Sequence, residues 1–313
     1  MTGAITGGRS HTCSVVIATR NRAGLLDRCL RALVSQAPHE IIVVENSVPG
    51  GTAATRSCAA FHGARYVEHE SGGLSAARNA GWRAASGDIV AFTDDDAVPD
   101  EAWVVSITGA FADATIDAAT GRILPLAAET ESEKHALRAA AGGVFGGDAP
   151  RIIDRSVPDW FAMAAFGGAG NGGNMAFRRS LLAQGFSFDE RTGRGAPLMA
   201  FDEHYIFLQL ISAGHRVAYV PDALVRHPLP ASLDELRRAK LRDYAALGAY
   251  ATLLMVESPH RRDTLAYALG GIVGRRRVWR DTPQTAGPRV ISRARAALAV
   301  ATGPFRYLRA RLR

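Results

Sequence analysis

Three consecutive aspartates, Asp94, Asp95 and Asp96, follow a short apolar run that is typical of a buried strand. Their charges would repel one another at neutral pH, and no basic residue stands beside them in the sequence, so we expect a cation there. The Asp-x-Asp spacing suits a hard divalent ion such as Mg²⁺ or Mn²⁺, which takes carboxylate oxygens and completes its shell with phosphate and water. The alternative is an acidic helix start, in which Asp96 or Asp100 caps the following helix.

A glycine turn, Gly72-Gly73, precedes a predicted helix over 75–85. The first-turn N–H groups of that helix, together with the guanidinium of Arg78, could face a diphosphate. The alternative is an ordinary glycine turn followed by an arginine that faces solvent.

Short apolar runs alternate with segments of helical periodicity through the first hundred residues. This alternation predicts a parallel sheet covered by helices on both faces, which is a doubly wound α/β arrangement. The predicted strands are 13–18, 41–44, 64–67 and 88–92, and the predicted helices between them are 23–34, 52–61 and 75–85.

Polar residues follow each of the four predicted strands. In doubly wound sheets ligands bind beyond the carboxyl ends of the strands, so we expect these side chains to meet at one rim. They are Thr19, Arg20, Asn21 and Arg22 after the first strand, Glu45 and Asn46 after the second, Glu68, His69 and Glu70 after the third, and the aspartates after the fourth.

The second half of the chain is less regular and contains a glycine-rich segment over 142–173, which we predict to be a long functional loop. Pro228 and Pro230 mark a boundary, after which we predict a helical, basic extension over 231–313; residues 1–12 are predicted to be a flexible N-terminus. The other predicted elements are helices 101–111, 202–213 and 233–255 and strands 116–124, 174–177, 216–220 and 223–226.

Composition narrows the class of protein. The chain has 313 residues, of which 47% are hydrophobic, and three cysteines without Cys-x-x-Cys spacing, which argues against disulfides and structural zinc. No signal-peptide pattern and no apolar run of about 18 residues is present, so we expect a cytoplasmic protein. The net charge of +7 is concentrated in 275–313. The segment 290–312 is either a solvated helix or a contact with the inner face of an anionic membrane, and no nucleic-acid motif accompanies it.

Four segments together resemble the family 2 glycosyltransferases, which have the GT-A fold: Ser-Val-Val-Ile-Ala-Thr-Arg-Asn-Arg at 14–22, Ile-Ile-Val-Val-Glu-Asn at 41–46, Gly-Leu-Ser-Ala-Ala-Arg-Asn-Ala-Gly at 73–81 and Gly-Asp-Ile-Val-Ala-Phe-Thr-Asp-Asp-Asp at 87–96. The resemblance resumes at 170–177 and 201–227. It implies a mixed, mostly parallel sheet flanked by helices over 13–230, with a nucleotide-sugar half over 13–125 and an acceptor and catalytic-base half over 126–230.

The resemblance also implies the donor and the metal. An inverting enzyme of this family moves one sugar from a nucleoside diphosphate sugar, with UDP as the default nucleotide, and uses Mn²⁺ or Mg²⁺. Asp96 would be the direct metal ligand, with Asp94 and His227 beside it. The donor-binding residues would be Thr19, Arg20, Asn21, Glu45, Arg78, Asp94 and Asp95.

On the acceptor side, the family's Glu-Asp pair falls on Asp202-Glu203, with the order of the acids reversed. The resemblance therefore implies Glu203, or else Asp202, as the general base, although acids at a helix start are also favoured by the helix dipole. The segment 170–177 resembles the acceptor loop, and Trp160 could stack on a sugar or could belong to the core. The implied acceptor residues are Trp160, Asn171, Gly172, Gly173 and Asn174, and the acceptor could be a glycan, a lipid-linked sugar, a natural product or a peptide.

Three other classes of protein remain as alternatives. A nucleotidyltransferase acting on a sugar phosphate would be expected to carry a glycine-rich loop with a lysine after the first strand, and 19–24 has neither. A non-catalytic nucleotide- or sugar-binding module would not need the acids at 94, 96, 202 and 203. A Rossmann oxidoreductase would carry Gly-x-Gly-x-x-Gly after the first strand, which is absent.

Overall fold

A computed structural model describes residues 11–47, 52–70, 72–127, 129–134, 147–272 and 291–312. Its sheet has nine strands in the order β3-β2-β1-β4-β8-β6-β9-β5, with β7 paired to β9 off this path. The strands are β1 Cys13–Thr19, β2 Glu40–Glu45, β3 Arg65–Glu68, β4 Ile89–Asp94, β5 Val98–Pro99, β6 Ala118–Pro125, β7 Arg151–Ile153, β8 Asn174–Arg178 and β9 Val217–His227.

Helices cover both faces of this sheet and form the C-terminal part of the chain. In the described ranges they are α1 Ala23–Val34, α2 Ala53–Phe61, α3 Gly73–Ala84, α4 Trp103–Gly109, α5 Trp160–Phe166, α6 Arg179–Ala183, α7 Asp202–Ser212, α8 Leu233–Glu257, α9 Arg261–Ile272, α10 Arg293–Ala301 and α11 Gly303–Arg311.

The parallel half of the sheet confirms the predicted doubly wound arrangement. Strands β3, β2, β1 and β4 are parallel neighbours, and their registers pair Thr19 with Glu45, Glu45 with Glu68, and Ala18 with Asp94. The strands therefore end at the same level, which brings their following polar residues to one rim. Strands β1, β2 and β4 are apolar without alternation because helices bury both of their faces.

The second half of the sheet is mixed. Strand β8 lies antiparallel between β4 and β6, and β9 runs parallel to β6. The two predicted strands at 216–220 and 223–226 form the single strand β9, whose register shifts between Gly121 and Arg122 of its neighbour. The bulge explains why the apolar pattern is interrupted in the sequence.

The glycine-rich segment over 142–173 is not simply a loop where the structure describes it. Within it, β7 adds to the edge of β9, and the apolar helix α5 contributes to the core. Residues 142–146 lie outside the described ranges. Gly167, with φ of 100°, ends α5 in a backbone conformation that favours glycine, so part of the glycine content serves to terminate a helix.

The predicted helical C-terminal part is confirmed for the described residues. Helix α8 begins with Ser232 accepting a hydrogen bond from the Glu235 N–H, while the Glu235 carboxylate accepts one from the Ala231 N–H. Helices α10 and α11 pack on α8, and Tyr250 and Tyr307 belong to the same hydrophobic cluster as the helices that cover the sheet. Residues 1–10 of the predicted flexible N-terminus and residues 273–290 of the predicted extension lie outside the described residues, and the predicted domain boundaries stay predictions.

Among the described helices, none combines the length and the apolar character needed to cross a bilayer. The thiols of Cys13, Cys29 and Cys58 are free.

Candidate active site

A cavity of 1720 Å³ opens beyond the carboxyl ends of β1, β4, β6 and β9. Strand-end residues, the loop over 171–173, the start of α7 and the helices α8 and α10 all contribute to its wall. The predicted meeting of polar side chains at one rim is therefore observed for the first and fourth strand ends, and the second strand end contributes Asn46. The cavity is larger than the ~300–1,000 Å³ that a single small ligand usually occupies, so it has room for two substrates.

The acidic turn and a histidine form a cluster that fits a divalent cation. Nε2 of His227 lies 3.1 Å from Oδ1 of Asp96 and 3.7 Å from Oδ2 of Asp94. The potential ligand atoms of these three residues all lie within 4.8 Å of one another. Oδ1 of Asp96 is buried and lies against the His227 ring, but no described residue donates a well-aligned hydrogen bond to it. Two carboxylate oxygens and one imidazole nitrogen are a donor set that Mn²⁺ accepts readily.

Arg22 is a part of this site that the sequence analysis missed. Its guanidinium lies 2.8 Å from Oδ1 of Asp95 and 2.5 Å from Oδ2 of Asp96, and it is 43% exposed. The sequence places Arg22 at the rim but does not reveal its partners. These acids lie more than seventy residues away, and they meet Arg22 because β1 and β4 are parallel neighbours. The cation expected beside the three aspartates is therefore supplied in part by the protein itself.

The neighbouring acids of the turn differ in their proton affinity. Burial raises the pKa of Asp95 to about 6, although hydrogen bonds from Thr19, at 2.7 Å, and Arg22 oppose this. Burial also acts on Asp96, but His227 and Arg22 outweigh it and lower the pKa of Asp96 to about 2. Asp96 therefore stays ionised under conditions in which a metal would bind.

The alternative of an acidic helix start does not hold for this turn. Helix α4 begins only at Trp103, and its N-cap is Ala102, which makes no side-chain cap. Asp100 instead lies 3.2 Å from Arg226 of β9.

Glu45 ends β2 as a buried carboxylate beside the first strand end. Its Oε1 accepts a hydrogen bond from the Asn21 N–H at 3.1 Å, and Oε2 is buried without a partner among the described residues. An unpartnered buried oxygen indicates a donor group that a ligand could supply. Arg20 is exposed and lines the cavity, whereas the Thr19 hydroxyl is already committed to Asp95.

Arg78 links four segments of the chain instead of facing solvent. One nitrogen of its guanidinium donates to Asp202, and the other donates to the Gly172 carbonyl at 2.8 Å and to Asp94 at 3.3 Å. The side chain is only 4% exposed. Most N–H donors of Arg78 are therefore bound to acceptors of the protein itself, and not to a diphosphate as predicted.

The glycine turn before α3 also contacts another part of the protein. A Cβ at Gly73 would lie 2.7 Å from the Ala196 nitrogen, and the Leu74 N–H donates to the Arg194 carbonyl at 2.8 Å. Gly73 also has φ of 82°. The turn thus allows a close approach of the 194–196 loop, and that first-turn N–H is not available to a phosphate.

The two acids at the start of α7 have different surroundings. Asp202 is 3% exposed and paired with Arg78, and burial together with the nearby Glu203 raises its pKa to about 6 against the pull of Arg78. Glu203 lines the cavity with a 14% exposed side chain, and its Oε1 lies 3.5 Å from Nδ1 of His204. Although burial opposes it, the charges of His204 and Arg78 lower the pKa of Glu203. Both acids line the cavity, and Glu203 is the more exposed of the two.

The loop over 171–173 lies in the cavity wall as predicted for acceptor residues. A Cβ at Gly172 would lie 2.9 Å from the Arg78 guanidinium, and one at Gly173 would lie 2.6 Å from Oδ2 of Asp94. A side chain at either position would displace the Arg78 guanidinium or the Asp94 carboxylate, so glycine lets the loop approach the site while both groups stay in place.

Two of the predicted acceptor residues are not brought to the cavity. The Asn174 amide is fully buried, accepts a hydrogen bond from the Trp103 indole and donates to the carbonyls of Arg122 and Ala223, so it holds strands together. Trp160 packs edge-to-face on His260 and against the hydrophobic core, which agrees with the alternative prediction for this residue.

Residues of α8 and α10 were not predicted to be part of the site, yet they complete the cavity. The sequence holds no local signal for this, because the contact depends on how the C-terminal helices return to the sheet. The lining residues from these helices include Leu236, Lys240, Arg242, Asp243, Arg293 and Ala296.

Comparisons with known proteins agree with this geometry. A pre-mycofactocin glycosyltransferase of Mycobacterium tuberculosis is 30% identical over 278 residues, which cover 85% of this chain and 52% of the relative. Glycosyltransferase AglE of Haloferax volcanii is 36% identical over 98 residues, covering 29% of this chain and 32% of the relative. The chain thus spans about half the length of the first relative.

Solved structures have the same fold. S. aureus TarS 1–349 superposes with a TM-score of 0.56 at 16% identity, covering 95% of this chain and 89% of TarS 1–349. Glucosyl-3-phosphoglycerate synthase from Mycobacterium tuberculosis gives 0.50 at 21% identity, covering 78% and 79%. The predicted GT-A fold is confirmed. Since the family model for glycosyl transferase family 2 also matches residues 14–186, this chain belongs to glycosyltransferase family 2.

Proposed function

We propose that this protein transfers one sugar from a nucleoside diphosphate sugar to an acceptor hydroxyl with the help of a divalent cation. The observation that carries the proposal is the opening of the Asp94, Asp96 and His227 cluster and the Glu203 carboxylate into one cavity. When bound, a divalent ion stabilises the negative charge that develops on a leaving diphosphate.

UDP and manganese are our default donor nucleotide and metal. A solved structure of TarS contains UDP-GlcNAc, and the structure of glucosyl-3-phosphoglycerate synthase contains Mn²⁺ and UDP. These ligands belong to those proteins, and they support the same chemistry here because the fold is shared.

The donor would lie along the ends of β1, β2 and β4. In this arrangement Oε2 of Glu45 accepts a hydrogen bond from the base or ribose, and Arg20 and Asn21 lie beside the nucleoside. Asp94 and Asp96 hold the metal with His227, while Asp95 keeps Thr19 and Arg22 in place. Arg78 acts by positioning Asp94, because its own donors are taken by protein acceptors.

Transfer with inversion requires a base on the side of the sugar opposite the leaving diphosphate. As the acceptor oxygen forms its bond to the anomeric carbon, the bond from that carbon to the phosphate oxygen breaks and the hydroxyl proton passes to the base. Both Asp202 and Glu203 line the cavity, and we assign this role to Glu203 because its side chain is 14% exposed, whereas the Asp202 side chain is 5% exposed and is paired with Arg78. The acceptor could still be a glycan, a lipid-linked sugar, a natural product or a peptide.

A screen of UDP-, GDP- and dTDP-sugars with Mn²⁺ tests this proposal. Binding and slow hydrolysis of the donor are measured for the wild type, for Asp96→Ala and for the matched control Asp100→Ala, whose carboxylate pairs with Arg226 instead of joining the turn cluster. We expect one class of donor to bind, Asp96→Ala to lose metal-dependent binding and hydrolysis, and the control to behave as the wild type.

Two results contradict the proposal. If no nucleotide sugar binds, or if Asp96→Ala binds and hydrolyses the donor normally with metal, the site has another use. Formation of a nucleotide sugar from a nucleoside triphosphate and a sugar phosphate would favour the nucleotidyltransferase alternative, and donor binding without any turnover would favour a non-catalytic module.

A further inference from the structure

Large exposed apolar side chains are concentrated in the C-terminal helices. Of the fourteen such side chains in the described residues, only four lie before residue 232. Single exposed apolar residues are normal on any protein surface, but a local concentration indicates a surface that is covered in use. The ten in the C-terminal part are Leu233, Tyr244, Met255, Val256, Leu265, Leu269, Leu298, Phe305, Leu308 and Leu312.

The last helix, α11, has two apolar faces. Tyr307 and Ala310 are buried and face α8 and the core. On the opposite side Phe305 is 76% exposed, Leu308 54% and Leu312, just beyond the helix end, 88%. The spacing of three and four residues aligns these three side chains along one stripe, which we call the outer apolar face.

The outer apolar face is held outward by a rigid attachment. A Cβ at Gly248 of α8 would lie 2.0 Å from the Val300 carbonyl oxygen, so α8 and α10 touch backbone to backbone. Gly303, at the start of α11, makes an equally close approach to Gly248. The Tyr307 hydroxyl donates to the Glu257 carboxylate at 2.8 Å. The exposed stripe is therefore a fixed surface of the folded protein.

The charge of the segment that carries this face has one sign. The segment 291–312 contains no aspartate or glutamate, and its basic residues are Arg293, Arg295, Arg306, Arg309 and Arg311. Arg309 and Arg311 are exposed, and helical geometry places them on the two sides of the outer apolar face. Such an arrangement repels a basic partner and attracts an anionic one.

We propose that the outer apolar face and its flanking arginines bind the surface of a membrane that contains anionic lipids. An apolar stripe of one aromatic and two aliphatic side chains enters the boundary between headgroups and acyl chains, and the arginines meet the lipid phosphates. Sequence alone left a solvated helix as an equal alternative for this segment. The exposure of the stripe, opposite to the buried face of the same helix, decides between the two.

Binding in this way places the cavity beside the membrane. Helix α10, which directly precedes α11, contributes Arg293 and Ala296 to the lining of the cavity, and Ile291, just before α10, also lies there. An acceptor that is itself anchored in the membrane would then meet the site without leaving the headgroup layer. This consequence rests on the proposed function, whereas the membrane contact does not.

Vesicle sedimentation with the full chain tests the contact. The wild type is mixed with vesicles of phosphatidylcholine alone or of phosphatidylcholine with phosphatidylglycerol. We expect binding to the second kind, with at least about a tenfold loss of the partition coefficient in the triple variant Phe305→Ser, Leu308→Ser, Leu312→Ser. The matched control Phe61→Ser, Val105→Ser removes side chains that are 81% and 68% exposed elsewhere and should bind as the wild type.

A second variant, Arg309→Gln with Arg311→Gln, separates the electrostatic part. Its binding should also fall about tenfold at low ionic strength, and the difference from the wild type should shrink as salt is added. Circular dichroism and nucleotide binding show that each variant is folded. Because nucleotide binding is measured apart from sedimentation, failure of the membrane contact and failure of the proposed function are distinguishable.

Three outcomes overturn the inference. The wild type could stay in the supernatant with anionic vesicles, or the triple variant could sediment as strongly as the wild type. Sedimentation equilibrium could also reveal a wild-type dimer that the triple variant converts to a monomer, which would assign the face to a second copy of the chain.

Discussion

Two acidic clusters line the same cavity, and they are neutralised by different kinds of cation. At the strand end, Asp96 is paired with Arg22, which is 43% exposed, and with His227, which is 30% exposed. At the helix start, Asp202 is paired with Arg78, which is 4% exposed. Exposed cations can move away when a ligand arrives, whereas a buried one cannot. The comparison separates a site that can exchange its cation for a metal from a pair that belongs to the framework.

The largest effect expected from this distinction is on the rate of sugar transfer. Glu203→Gln removes the proposed base and should lower kcat by about a hundredfold to ten-thousandfold while leaving the donor dissociation constant unchanged. Steady-state transfer and calorimetric donor binding measure the two quantities. Asp202→Asn, which retains an oxygen for Arg78, is the matched variant; if it alone abolishes transfer, the base is Asp202.

The next effect is on stability. Asp202→Ala leaves the buried guanidinium of Arg78 without its main partner and should lower the free energy of unfolding by about 3–5 kcal/mol. Glu203→Ala should change it by less than about 1 kcal/mol, because its partner His204, unlike Arg78, can release its proton and stay neutral when the carboxylate is removed. Urea denaturation of both variants checks this. Equal losses would mean that the two acids form one structural unit.

A smaller effect is expected at the strand end. Arg22 competes with a divalent ion for Asp96, so Arg22→Gln should tighten Mn²⁺ binding by about threefold to tenfold at low ionic strength. Calorimetry without nucleotide measures it, with Arg20→Gln as the control, because among the described residues the acidic turn pairs with Arg22 and not with Arg20. Weaker binding would instead show that Arg22 orients the carboxylates.

The smallest effect comes from a third acid and arginine cluster, at the surface. Two hydrogen bonds from Arg191 lower the pKa of Glu257, which also accepts from Tyr307 of α11. A lowered pKa gives stability that is present above the unfolded pKa and lost as the pH falls through the folded value. We expect up to about 1 kcal/mol to disappear below about pH 4.5. Glu257→Gln should remove this part of the pH dependence in thermal unfolding.

The parallel half of the fold could be predicted because its signals are local. Each of the strands β1, β2 and β4 is a short apolar run, and each of the following helices has its own periodicity, so the rim of polar residues followed from topology alone. The second half depended on contacts that no local pattern records. Helix α5 lay within a segment whose glycine content favoured a loop, and β9 was divided in two by its bulge.

The site could be predicted as far as residue types at strand ends allow. Asp94, Asp96 and His227 were assigned to one cluster, and the structure brings them together. The hydrogen-bond partners of buried groups were not predictable, because they depend on which distant segments pack together in the folded chain. Arg78 pairs with Asp202, which is more than a hundred residues away in the sequence. The Asn174 amide donates its hydrogen bonds to carbonyls of nearby strands. Residue type alone made both appear available to a substrate.

Arg78 also connects the two halves of the sheet, because its acceptors come from both. A fragment that ended at residue 125 would retain Arg78 and Asp94 but would lose the Gly172 carbonyl and Asp202, so the buried guanidinium would lack two of its three acceptors. Chimeras with relatives should therefore tolerate a crossover between the halves only when the later segment brings its own matching glycine carbonyl and acid. The site around Arg78 is therefore complete only when the second half of the sheet is in place.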